Sequence, residues 1–451
     1  EAGIALFGVV VPQQDFAQGV VIVRLVEGQI GEVVFEGDVE GADLSLSRAY
    51  ATAMQMERPL RLATLERYLL LMSDIPGRRV VSRFETAEGS PGNVKLVVNM
   101  QRTVARLGFG LDNLGANYLG NTQMTLGATV NSILREGDTT RATIGFPIAD
   151  IKRFTYFGLR HQQPIGTNGL TLAGNFTFLE QRETGSSNLT GRTSTFSLQA
   201  AYPIIRSVRR TLQAFASFDI LDSRAEVPLG RLSDEATRVL RLGLLFAQAN
   251  EAQTRMGSLA IVLNQGINGA GARQRVLYYG DPEFTKVSAL ASLTQNLFDN
   301  RLSLRFRASA QFSPERLPSS EFFTYGGVLF GRGFDAATLF GDQGISASFT
   351  IAVPFRTFLD VESLAPAKPE ILGRMIRGAE AYVFIDGGMS RNYAPAIQPR
   401  HDRASSAGLG IGLPVSDDTT LNLEVASPIV RPRNAVVEAG TRFVAVFRRN
   451  F

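Results

Sequence analysis

The sequence predicts a small α/β unit followed by an all-β membrane barrel of about sixteen antiparallel strands. Helical periodicity is confined to the first hundred residues. After residue 103 it gives way to alternating segments of 9–14 residues separated by turn signals. The composition holds 44 Gly and 30 Phe with few Lys, yet no window approaches the roughly 20 consecutive apolar residues of a transmembrane helix. A membrane crossing, if there is one, must be made by strands.

In chain order, residues 1–28 read as the end of an α/β unit, with VVIVRLVEG as a final strand. Residues 29–102 follow the order strand, helix, helix, strand, strand. QIGEVVFEG (29–37) alternates as a strand does. LSLSRAYATAMQME (44–57) has helical spacing, with Asp43 available as its N-cap. In the next helix Leu62, Leu65, Leu69 and Met72 share a face, and IPG (75–77) ends it. RRVVSRFETAE (78–88) and NVKLVVNMQR (93–102) read as a hairpin across Gly89–Gly92.

Beyond residue 103 one face is apolar and the other polar. Leu302, Leu304, Phe306, Ala308 and Ala310 alternate with Ser303, Arg305, Arg307, Ser309 and Gln311. Leu421, Leu423 and Val425 alternate with Asn422 and Glu424, and Leu212, Ala214, Ala216, Phe218 and Ile220 form a third apolar row. That pattern is a transmembrane β-barrel's, apolar toward lipid and polar toward the lumen. The strands fall near 104–112, 121–131, 139–146, 154–163, 169–180, 194–203, 211–221, 237–248, 253–265, 285–297, 301–312, 344–354, 378–387, 404–413, 419–427 and 438–451, ending on Phe451. A soluble sandwich or propeller also alternates, but its segments would be shorter and its apolar face buried.

Two motifs carry chemistry. YGGVLFGRGFD (325–335) places Arg332 between glycines in a long loop, 313–343. FIDGG (384–388) places Phe384, Asp386 and Gly388 on one face of a strand, with Val383 and Ile385 on the other. An Asp on the inner face of a sheet and an Arg on a nearby loop are suited to a charge-assisted pair inside a cavity.

Charge is nearly balanced at +4, which gives no argument for nucleic acid. With no Cys, there is no disulfide, thiolate metal site or Cys nucleophile, and His161 and His401 are too few for a His-rich metal site. No Ser, Asp or Glu spacing specifies a catalytic triad or glycosidase pair. The expectation is no enzyme, no cofactor and no metal.

Taken together, the motifs make the chain resemble the two-partner-secretion transporters (TpsB), the hemolysin secretion/activation branch of the POTRA-barrel superfamily. PQQDFAQGVVIVRLVEGQIGEVVFEG (12–37) is similar to the junction between the family's first and second POTRA domains, and LERYLLLMSDIPG (65–77) to a second-POTRA helix. LDNLGANYLGNTQ (111–123) looks like the first barrel strand turning through the first surface loop. Gly-Arg-Gly-Phe matches the tip of the sixth surface loop, with Gly331 where Val is usual. GDQG (341–344) follows it, and FIDGG matches the Phe-x-Asp-x-Gly strand.

The resemblance implies an α/β POTRA module followed by the barrel. Residues 1–28 would be the C-terminal remnant of a first POTRA domain, 29–102 a second POTRA domain, and 103–451 the barrel with loop 313–343 folded inward. The family's plug helix and most of the first POTRA domain are not found in this chain, which also begins without Met or a signal peptide.

The implied function is an outer-membrane pore whose periplasmic POTRA region receives an unfolded TpsA-like exoprotein that the barrel conducts to the cell surface. The implied surroundings are outer-membrane lipid and lipopolysaccharide, and the implied state is a monomer. Arg332, Gly333, Phe334, Phe384, Asp386 and Gly388 would lock the loop to the barrel, the two aromatics packing around the ion pair. Val80, Val81, Ser82, Arg83 and Phe84 form the candidate substrate edge of the POTRA sheet. The competing functions are an outer-membrane insertase of the same superfamily and a passive porin.

Overall fold

The computed structural model describes residues 3–14, 19–86, 92–115, 120–183, 188–275, 280–358, 370–393, 399–433 and 440–449. Phe451 and the centre of the 89–92 turn lie outside the described residues.

The N-terminal unit folds as its periodicities dictate. A two-stranded sheet pairs β1 (Phe7–Val10) with β2 (Arg24–Glu27), so the strand expected over VVIVRLVEG is confined to its last part. Then come β3 (Gln29–Gly37), α1 (Ser45–Met56), α2 (Leu62–Ser73), β4 (Arg78–Thr86) and β5 (Asn93–Arg102). The sheet order is β3-β5-β4, with β5 parallel to β3 and antiparallel to β4. Leu96, Val98 and Met100 of the central strand pack against Tyr50, Met54 and Met72 of the helices, all buried. This α/β layer has the element order expected of a POTRA module. One detail differs from the sequence reading: Leu44, not Asp43, occupies the N-cap. Asp43 stands one residue earlier and still accepts the Ser45 N–H at 2.9 Å, satisfying a free donor of the first turn.

The rest of the chain closes into a barrel. Its first strands are β6 (Ala105–Asp112), β7 (Gln123–Asn131), β8 (Thr139–Pro147), β9 (Phe154–Ile165), β10 (Leu170–Arg182), β11 (Thr190–Arg206), β12 (Arg210–Val227), β13 (Gly230–Ala249) and β14 (Arg255–Gly266). After a two-residue β15 (Arg273–Gln274) come β16 (Thr285–Leu297) and β17 (Leu302–Phe312). Loop strands β18 (Phe323–Tyr325) and β19 (Leu339–Gly341) pair with each other as a hairpin. The circuit ends with β20 (Gln343–Pro354), β21 (Glu380–Arg391), β22 (His401–Ser416), β23 (Thr419–Val430) and β24 (Arg442–Arg449).

Every long strand is antiparallel to its neighbours, sixteen in all among the described residues, and the sixteen sequence segments each overlap one. The seam between β24 and β6 is short, with three register pairs from Val446↔Asp112 to Arg448↔Gly110. Asn113 extends it, donating to Phe443 O at 2.7 Å and accepting Ala445 N–H at 2.8 Å.

Two features depart from expectation. Strands β11, β12 and β13 run 17, 18 and 20 residues, well past the segments expected there. Beyond the apolar band their outward positions become charged, so the ladder continues where the alternation of apolar residues stops. A helix, α3 (Glu370–Gly378), lies in the connection between β20 and β21 and has no counterpart in the sequence reading.

The α/β unit sits against three turns at one end of the barrel. In the β7–β8 turn, Glu136 accepts Ser47 N–H at 2.9 Å and Ser47 O–H at 2.5 Å, and it pairs with Arg78 at 3.2 Å with both side chains almost wholly buried. Asp43 Oδ2 accepts the Glu136 N–H at 3.0 Å. Arg67 donates to Asn168 O and Pro203 O, both at 2.9 Å. Arg206 forks onto Asp74 with two bonds of 2.7 Å. The unit is therefore held across one wall of this mouth. The Ser45 and Glu136 N–H groups and Arg78 hold the Asp43 carboxyl below its ordinary range. Its contribution to docking is thus present above the unfolded-state value and lost only as pH falls through the lowered one.

Arg78→Met is expected to strand the buried Glu136 carboxylate and weaken docking by on the order of 3–5 kcal/mol. Hydrogen exchange should then accelerate at the Ser47 amide while β5 keeps its protection. Unchanged exchange at Ser47 would mean that the pair does not hold the unit in place.

Candidate functional site: the loop pinned inside the barrel

The odd positions of β21 face outward and the even ones inward: Val383 and Ile385 are each about half exposed, whereas Phe384 and Asp386 are buried, Asp386 completely. The loop between β17 and β20 folds into the lumen and brings Arg332 onto that inner face. Arg332 donates to Asp386 three times: backbone N–H to Oδ2 at 3.0 Å, Nε to Oδ2 at 3.0 Å and Nη2 to Oδ1 at 2.9 Å. Nη2 also reaches Ser348 Oγ at 3.1 Å and Thr350 Oγ1 at 3.3 Å on β20, and Nη1 lies 3.8 Å from Glu424 on β23. The guanidinium stacks on Phe384, its Cζ 3.3 Å from the ring centroid. Planarity and a fixed donor fork make this an arginine site that lysine would not reproduce.

The glycines are there for space. Gly331 has φ of +80°, and a Cβ there would lie 2.7 Å from the Tyr325 ring. A Cβ on Gly333 would meet Ser406 Cβ at 2.7 Å, while the Gly333 N–H donates to Ser406 Oγ at 3.3 Å. Gly388 passes beneath Tyr325, whose Cδ2 would be 2.4 Å from an added Cβ. Phe334 lies 6.1 Å from Tyr325 between ring centroids, in a buried cluster with Phe323, Phe330, Leu339 and Ala404. Phe384 therefore packs on the ion pair itself, while Phe334 anchors the hairpin of the same loop.

The base of the loop is fastened to a different stretch of wall. Glu321, buried, pairs with Lys286 of β16 at 2.7 Å and with Arg241 of β13 at 2.6 Å. Glu235 of β13 accepts Ser319 N–H at 3.1 Å, Ser319 O–H at 2.6 Å and Ser320 N–H at 3.0 Å. Asp342 accepts the N–H groups of Leu317 and Tyr393, each at 2.7 Å. Ser348, Thr350, Glu424, Glu321, Lys286 and Arg241 were not singled out by the sequence. The strand residues among them carry only the signal of a polar residue at an inward position, which dozens of others share, and Glu321 carries only that of an acidic residue in the long loop.

The remaining expected residues are not gathered here. Val80, Val81, Ser82, Arg83 and Phe84 lie on β4, an edge of the α/β sheet, with Val81 and Phe84 exposed. His161 Nδ1 is 2.8 Å from Thr140 Oγ1, and His401 starts β22 at the opposite end of the barrel from the α/β unit. Among the described residues, no group of three His, Asp or Glu side chains is arranged to hold a metal.

A family model described as haemolysin secretion/activation protein ShlB/FhaC/HecB matches residues 92–415. The chain is similar to the heme/hemopexin transporter protein HuxB of Haemophilus influenzae (strain 86-028NP), with 21% identity over 445 residues, covering 93% of this chain and 73% of that protein. It is also similar to the hemolysin transporter protein HpmB of Proteus mirabilis, with 23% identity over 344 residues, covering 73% of this chain and 61% of the relative. In fold it is similar to CdiB from Escherichia coli, with a TM-score of 0.81 at 17% identity, covering 100% of this chain and 81% of the other. BamA from Haemophilus ducreyi lacking POTRA domains 1–3 shares the fold with a TM-score of 0.60 at 14% identity, covering 100% and 90%.

Arg332→Glu or Asp386→Arg alone is expected to free the loop tip, leaving a like-charge pair in the wall. The cost is on the order of 3–5 kcal/mol in a dry site, less where lumen water screens it. The reversed double variant should recover much of the loss in loop protection from protease and in single-channel conductance. A double variant as disordered as either single one, in an intact barrel, would refute the pairing.

Proposed function

We propose how this protein works from one premise: the chain belongs to the haemolysin secretion/activation family. It is an outer-membrane transporter of the two-partner-secretion type, with relatives that are hemolysin and heme/hemopexin transporters. The finer reading is a path for an unfolded, TpsA-like exoprotein. Residues 29–102 act as a POTRA domain in the periplasm, preceded in 1–28 by the end of another, and 103–451 form the conducting barrel. The protein acts as a monomer, without cofactor and without catalysis.

The observation that carries this reading is the loop across the lumen. Sixteen strands enclose a channel wide enough for water, and a loop held by small clusters of ion pairs and hydrogen bonds at tip and base is an obstruction that can be released. A passive porin has no use for an α/β unit bonded to its periplasmic mouth. At that mouth β4 offers a strand edge to an extended chain, with Val81, Arg83 and Phe84 among the side chains that would meet it. Breaking the Arg332–Asp386 contact would let the loop tip leave the wall, and the substrate would occupy the space.

Deleting the gene should remove one large protein from the culture medium or cell surface and leave other outer-membrane barrels at normal abundance, as measured by comparative proteomics. A general fall in barrels would make this an insertase, and no change in either fraction would favour a porin. Complementation with Val81→Pro, which disturbs the β4 edge, is expected to cut secretion roughly tenfold while the barrel still assembles.

A further inference from the structure

At the end of the barrel away from the POTRA unit, the outer face of β20–β23 carries a cleft of about 700 Å³ whose two halves differ in chemistry. Its lower part is apolar: Ile345, Met389 and Val430 stand at outward positions at the top of the lipid-facing band. Its upper part is cationic. Arg391 is in register with His401, Arg403 is in register with Met389, and Arg431 and Arg433 follow the end of β23. Four arginines thus surround the cleft, against one carboxylate, Asp402.

That carboxylate is buried and accepts the backbone N–H groups of Arg403 at 2.8 Å and Arg433 at 3.2 Å. It fixes the turn that presents the arginines and neutralises none of their side chains. Among the described residues none of the four guanidinium groups has a hydrogen-bonded or ion-paired side-chain partner, and the Arg391 Nε is shielded from solvent without an acceptor. Elsewhere on the rim the arginines are spent: Arg192 pairs with Glu180, and Arg273 with Asp222 and Asp234.

We propose that this cleft binds a phosphorylated glycolipid of the outer leaflet, of the lipid A type. Its phosphates would lie among Arg391, Arg403, Arg431 and Arg433 and its proximal acyl chains against Ile345, Met389 and Val430. The inference rests on the outer-membrane position of the barrel. An exposed guanidinium fork matches a phosphate in charge and geometry. A basic cluster set directly above an apolar, lipid-facing surface suits an amphiphile better than a soluble anion, and better than an acidic polypeptide, which has no use for the apolar half. The lumen face of the same four strands holds Arg332, so lipid and loop grip the wall from opposite sides.

The test uses the purified full chain in detergent. Native mass spectrometry follows binding of bisphosphorylated lipid A, its dephosphorylated form, inorganic phosphate and a polyglutamate peptide. Bisphosphorylated lipid A is expected to bind at least about tenfold more tightly than the dephosphorylated form. Combined Arg391→Gln, Arg403→Gln, Arg431→Gln and Arg433→Gln should abolish that discrimination. Arg255→Gln, at the periplasmic rim, should preserve it, and Arg403→Gln alone should reduce it if the combined variant does not fold. Equal binding of the two lipids, or unchanged discrimination in a folded variant, would overturn the proposal. Displacement of the lipid by low-millimolar phosphate would reassign the cleft to free anions, and tighter binding of polyglutamate would reassign it to a polypeptide; either would overturn it as well.

Discussion

Hydrocarbon cannot hydrogen-bond a peptide group, and most of this structure follows from that constraint. A sheet in lipid must close so that no edge remains, and sixteen strands close around a lumen too wide for their own side chains to fill. The outward positions are then solvated by acyl chains, which is why Leu242, Leu244, Ile261 and Leu409 stand exposed without penalty. The inward positions are largely polar, so whatever occupies the lumen is held to the wall by hydrogen bonds and ion pairs as well as by small apolar clusters.

The loop from β17 to β20 meets that requirement at two places. Its tip binds the wall of β20–β23 through Arg332, and its base binds β13–β16 through Glu321 and Glu235. Each attachment gathers several donors on one carboxylate, so each is worth keeping only as a complete set. Such contacts are strong when formed and costly when half-broken. The POTRA unit is attached to its mouth by the same chemistry, with Arg78 and Glu136 buried together and Arg206 forked onto Asp74. Load on that unit therefore reaches the barrel through bonded turns.

Much of this was legible in the chain. A period of two with one apolar face marked every barrel strand, because lipid demands apolar residues at each outward position. The ends of β11–β13 escaped notice because above the membrane the outward face becomes charged while the backbone ladder goes on. The helix α3 escaped because Glu370–Gly378 is a single short stretch among strand signals. Arg332 and Asp386 stood out through their glycine and aromatic neighbours. Glu321, Lys286 and Arg241 have no such setting, and nothing local marks them as partners.

What the sequence by itself determined is therefore local and periodic: the POTRA order of elements, the number of strands, the face each side chain takes, and the two motifs that meet. These follow from backbone geometry and the solvent on each side. The tertiary structure alone decided which inward carboxylate meets which cation, where the POTRA unit is fastened, and that four arginines from β21, β22 and the end of β23 gather above a lipid-facing surface. Those pairings depend on strand register around a closed circuit and on the path of a long loop. The ion pairs join residues from 35 to more than 130 positions apart, a separation across which no periodicity carries information.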